Sequence, residues 1–181
     1  MKLAALLLVS VLALVAEQPQ FTQDGKLQKP ANYREWVYLS SGLGMTYAPE
    51  GAAAKNFTNV FAEPTAYQAF LKTGKWPEGT MLAMDVRKGE TKGSINIDGY
   101  FQGAQIATEV TVKDSQRFKK DGWEYFAFNP AATTAAAIGE KGGCNACHNK
   151  NAAVENTFVQ FYPTLLEVAR AKGVLKKTAV E

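Results

Sequence analysis

This chain of 181 residues is poor in the side chains that usually build metal and redox sites. It carries one histidine and two cysteines. A structural zinc site takes four ligands, usually Cys or His, so this chain would have to complete one with carboxylates or water. Two cysteines also exclude a framework of several disulfides. Charge of one sign is lacking too. There are 20 Lys and Arg against 17 Asp and Glu, a formal +3. No basic patch dominates, so nucleic-acid binding has no support. No internal repeat is present. Past the first residues no apolar run approaches the ~20 residues that a membrane span needs.

The scarce residues stand together. Both cysteines and the single histidine lie in Cys144-Asn145-Ala146-Cys147-His148. C-x-x-C-H is the attachment signature of a c-type haem. The two thiols add across the porphyrin vinyl groups and form thioethers, and the two-residue spacer sets their separation. His148 then lies under the iron and can coordinate it. Gly142 and Gly143 precede the pentad and suit a backbone passing close to a flat macrocycle. Two other readings are weaker. A thioredoxin-like redox pair sits early in an α/β domain, whereas this pair is near the end. A structural disulfide across so short a loop is disfavoured. The expectation is one covalently attached haem c, held by Cys144, Cys147 and His148, with His148 on the iron.

The start of the chain supports that reading. Met1-Lys2 is a short basic region, and Leu3 to Val15 is apolar apart from Ser10. Ala16 offers a small residue at a cleavage point, so residues 1–16 read as a signal peptide. Residues 17–181 then form a single domain. Export fits haem attachment, which in bacteria occurs outside the cytoplasm, and the mature protein is expected in the periplasm, free of the membrane. Both cysteines being committed to haem, no disulfide is expected even there.

Along the mature chain, residues 17–29 read as a polar arm. Asn32 with Glu35 reads as a capping box opening a short helix, with Tyr33, Trp36 and Val37 on its buried face. Residues 42–51 read as a loop and 57–61 as a short strand. Pro64 opens a helix through about Lys72, closed by Gly74. Strands are expected over 80–87, 94–101, 105–112 and 123–128, the middle two joined near Gly103. Asp114 to Phe118 reads as a helical turn. After the haem loop, Pro163 starts an amphipathic helix closed by Gly173. The sum is an α+β fold with a mostly antiparallel sheet, a C-terminal haem-attachment loop and a terminal helix.

A single histidine cannot make a bis-histidine haem. Methionine is the usual alternative sixth ligand, and the mature chain offers Met45, Met81 and Met84. All three precede the haem motif, the reverse of the order in small electron-transfer cytochromes c. Met81 and Met84 fall on opposite faces of a strand, and either could instead fill core. An open sixth position is therefore favoured, and with it small-molecule ligands over simple electron transfer. A four-helix cytochrome fold is excluded by the β-patterned middle of the chain.

These residues resemble the cytochrome P-460 family and its relative, cytochrome c-prime-beta. The resemblance runs through Tyr33-Arg34-Glu35-Trp36-Val37, Thr73-Gly74, Gly79-Thr80, Gly99-Tyr100-Phe101, residues 112–118, the pentad and Phe161-Tyr162-Pro163. It implies a β-rich haem domain, a homodimer, a His-ligated iron and an open distal site. It implies one of two chemistries. P-460 enzymes carry a lysine linked to the porphyrin and oxidise hydroxylamine. Cytochromes c-prime-beta lack that link and bind nitric oxide and related gases. The linking position here looks like Met84, while Lys72, Lys75 and Lys88 read as surface. The resemblance gives Phe57 and Phe61 as distal-face candidates, against ordinary strand core. Glu109 is a candidate polar distal group, against a solvent-facing strand residue. The expected partners are a small gaseous or nitrogenous ligand and a redox protein.

Overall fold

The computed structural model describes residues 16–45, 55–93 and 95–176. The leader read over residues 1–16 therefore lies, apart from Ala16, outside the described residues, as does most of the loop read over 42–51. The strands are β1 (Leu27–Gln28), β2 (Val37–Leu43), β3 (Asn56–Ala62), β4 (Met81–Glu90), β5 (Phe101–Lys113), β6 (Trp123–Phe128) and β7 (Thr134–Ala135). The helices are α1 (Pro64–Thr73), α2 (Cys144–Asn151) and α3 (Pro163–Lys172). Strands β2 to β6 form one antiparallel sheet in chain order, and β1 pairs with β7 in a second, two-stranded sheet. The fold is α+β and mostly β, as expected.

Helix boundaries follow local chemistry. Pro64 opens α1 at a position where its missing N–H costs nothing. The Glu63 carboxylate accepts from the Ala66 amide at 2.8 Å and so caps the helix. Gly74 and Gly173 close α1 and α3 in the left-handed conformation, where a Cβ would be strained.

Three local expectations differ from the structure. The helix read at Asn32 is a single 3-10 turn over Tyr33–Glu35, and the Asn32 side chain makes no cap bond, because the chain enters β2 directly. Of the two strands read around Gly103, the one over 94–101 is absent, residues 95–100 being turn, bend and loop, while the one over 105–112 starts earlier, as β5 at Phe101. Gly103 sits inside β5, where an added Cβ would run into the Glu90 side chain, so the glycine serves close packing rather than a turn. The haem loop is in fact the helix α2.

The sheet has two covered faces. On one, α1 and α3 bury Phe70, Trp76, Leu82, Trp123, Val159 and Leu165. On the other, the N-terminal arm and β1 bury Leu27, Tyr33, Trp36, Met81, Val110, Val112 and Phe126. The register fixes which side chain serves which face, since neighbours along a strand alternate. Val60, Met84, Glu109 and Ala127 lie in one cross-strand row, and Phe61, Ala83, Val110 and Phe126 in the next, on the opposite face.

Candidate haem-binding site

Gly143 has φ +77, the left-handed conformation that ends the preceding 3-10 turn and starts α2. At Gly142 any Cβ would collide with the Ile138 side chain. Two glycines thus let the backbone turn tightly into the helix. On a helix, residues at i, i+3 and i+4 share a face. Cys144, Cys147 and His148 have that spacing, and all three line one cavity of about 450 Å³. That volume is in the range of small-molecule and cofactor sites.

The sheet supplies the facing wall. Ser40, Thr58, Val60, Met84, Glu109, Thr111 and Tyr125 line it, with Phe158, Phe161 and Tyr162 closing it from the segment before α3. His148 is held from three sides. Tyr125 and Phe158 pack on its ring at centroid distances of 4.4 and 4.5 Å. Its Nδ1 lies 2.7 Å from the Asn156 carbonyl oxygen. A carbonyl only accepts, so Nδ1 carries the proton and the Nε2 lone pair is left for a ligand. Burial pushes the imidazole pKa down, against the opposing effect of the Asn156 bond, which favours the neutral, metal-ligating form.

Neither cysteine is in a disulfide. Burial, and then the Glu109 charge, push the Cys144 thiol up, the reverse of the low-pKa thiolate of a redox pair. Among the described residues no group of three His, Cys, Asp or Glu side chains could hold a metal ion. The donor set is thus two thiols and one imidazole on one helix face beside an apolar cavity. That set fits a haem and does not fit a zinc ion.

The structure brings Cys144, Cys147, His148, Met84 and Glu109 to one cavity and leaves Phe57 and Phe61 out of it. Phe61 packs edge-on against Tyr33 and Tyr38 at 6.2 and 5.8 Å, on the opposite face of the sheet. Phe57 shares the parity of Phe61 along β3. Both are corrected from distal candidates to the other face of the sheet, where Phe61 packs on the second core. The aromatic residues on the cavity side are Tyr125, Phe158, Phe161 and Tyr162. Phe161-Tyr162 stood out in the sequence only as part of a motif. Met81 is buried in the second core, while Met84 and Met45 line the cavity. Solvent reaches Glu109 through the cavity, yet the surrounding walls push its carboxyl above the usual range.

Among the described residues, no helix is long and apolar enough to cross a membrane. No curated protein matches the chain. The family model for Cytochrome P460 matches residues 30–159, from the strand-leading turn at Tyr33 through the pentad to the turn that holds His148. With that match over most of its length, and with a thiol, thiol and imidazole set facing one cavity, the chain belongs to the Cytochrome P460 family of haem proteins.

Proposed function

We propose that this is a periplasmic mono-haem c protein that binds small nitrogenous ligands such as nitric oxide at an open iron site. The observation that carries the reading is the bond from His148 Nδ1 to the Asn156 carbonyl at 2.7 Å, which leaves Nε2 as a ligand beside an apolar cavity. Cys144 and Cys147 would anchor the porphyrin through thioethers, and His148 would ligate the iron. A haem held there would supply an iron able to bind a small ligand. Val60, Met84 and Phe161 form an apolar part of the wall, which favours neutral diatomics over hydrated ions. Glu109, whose carboxyl is pushed up by burial, can hold a proton at the cavity wall.

The lining also bears on the hydroxylamine-oxidising alternative. That chemistry goes with a lysine linked to the porphyrin, and no lysine lines the cavity among the described residues. Lys72, Lys75 and Lys88 are exposed. A second reading, electron transfer with a methionine sixth ligand, rests on Met84 and Met45, which both line the cavity.

The test is the electronic spectrum of the purified protein with and without nitric oxide or carbon monoxide. The expected ferrous form is five-coordinate, high-spin and reactive with either gas. A low-spin, six-coordinate spectrum in both oxidation states would overturn the reading in favour of a methionine ligand.

A further inference from the structure

The turn that presents the Asn156 carbonyl to His148 is built in an unusual way. Glu155 has φ +49 and is, among the described residues, the one non-glycine with positive φ. That conformation disfavours an L side chain, and such strain persists only where surrounding contacts over-determine it. Here they do. Lys113, at the end of β5, donates to Glu155 Oε2 at 2.7 Å and to the Trp76 carbonyl at 2.7 Å. The Trp76 amide donates to Glu155 Oε1 at 3.3 Å. Trp76 Nε1 donates to Thr157 Oγ1 at 2.8 Å, and that hydroxyl donates to the Val154 carbonyl at 2.8 Å. Asp121 holds the Asn156 side-chain amide at 3.1 Å. Residues 154–157 are therefore clamped from β5, from the loop after α1 and from the loop before β6.

We infer that Glu155 and Lys113 are positioning residues for His148, clamping the 154–157 turn so that the Asn156 carbonyl holds Nδ1–H of the imidazole. The inference rests on His148 being the iron ligand. Neither residue lines the cavity, so any effect they have on the iron passes through the turn. A bond from Nδ1–H to an acceptor fixes the ring orientation and raises the donor strength of Nε2. A looser turn weakens that bond and makes the imidazole a poorer ligand.

Glu155 uses one carboxylate oxygen for Trp76 and the other for Lys113. Glu155→Gln has a single acceptor oxygen and must drop one of them. Lys113→Met removes the ammonium and keeps the chain length. The measurement is the iron–histidine stretching band of the ferrous protein by resonance Raman, with the reduction potential, in wild type, both variants, Lys113→Arg and His148→Ala. The expected result is a band at lower frequency and a higher potential in Glu155→Gln and Lys113→Met, with Lys113→Arg close to wild type. An ion pair that only stabilises the fold would lower the unfolding midpoint and leave band and potential unmoved, and that result overturns the inference. Should Lys113→Met fail to fold, the near-isosteric Glu155→Gln decides alone. A wild-type protein with no band that disappears in His148→Ala would overturn the ligand assignment, and this inference with it.

Discussion

Asp85 follows Met84 in β4 and faces the other side of the sheet, where its side chain is 4% exposed. It anchors the strand that presents Met84 to the cavity. Its oxygens accept from Gln105 Nε2 at 2.6 Å, Arg34 Nε at 3.2 Å, Tyr33 Oη at 3.3 Å and Arg87 Nη1 at 3.4 Å. Asp85→Asn keeps the shape and removes the charge. Removing one partner of a fully buried ion pair costs about 3–5 kcal/mol. Arg34 is half-exposed and Arg87 about a quarter exposed, so water recovers part of that cost and about 2–3 kcal/mol remains. For a domain of this size the loss corresponds to about 5–10 °C in Tm. The effect must depend on pH. Burial pushes the Asp85 carboxyl up, but the bonds from Arg34, Gln105 and Arg87 outweigh it and hold it below its ordinary value. A carboxylate lowered in the folded state contributes stability above its unfolded pKa of about 3.9 and loses it as pH falls through the folded value. Urea midpoints of wild type and variant should therefore differ fully at pH 7 and converge toward pH 3. A gap of equal size at both pH values, or one below about 0.5 kcal/mol at pH 7, would refute the reasoning.

Other expectations follow from the faces of the sheet and the chemistry of the pentad. Phe61→Leu should leave gas affinity within about twofold of wild type, because Phe61 lies across the sheet from the cavity; a tenfold change in a carbon monoxide titration would contradict the register. Met84→Ala should keep a five-coordinate ferrous spectrum, and a switch from low to high spin in the variant would expose Met84 as a ligand. The Glu109 carboxyl is raised by burial, so gas affinity should change across a pH window above the ordinary carboxylate value of about 4.3, and that change should vanish in Glu109→Gln. Cys144→Ala and Cys147→Ala should each retain haem by one thioether with a shifted spectrum, read together with intact mass.

Much of the site was legible because its signal is local. The spacing of Cys144, Cys147 and His148 is at once a haem signature and one face of a helix. Pro163 and Gly173 bracket α3 through backbone constraints that the residues themselves impose. The 123–128 strand showed through its alternating aromatics. What stayed hidden depends on distant partners. The central sheet carries a core on each face, so apolar content along β3 does not reveal which parity meets the cavity, and Phe57 and Phe61 lie on the other face. Gly103 reads as a turn residue until the packing of Glu90 against it is seen. The acceptor for His148 is a backbone carbonyl, which leaves no residue-type signature, and Glu155 owes its place to Lys113 and Trp76, both far away in the chain.

His148 is the proposed iron ligand, and the most direct test is the ferrous–carbon monoxide spectrum of His148→Ala beside wild type, at matched haem content. The proposed ligation predicts that the variant, in which both cysteines remain, loses the wild-type spectrum and the wild-type affinity for the gas. Identical spectra in the two proteins would mean that another residue holds the iron, and would contradict the assignment at its centre.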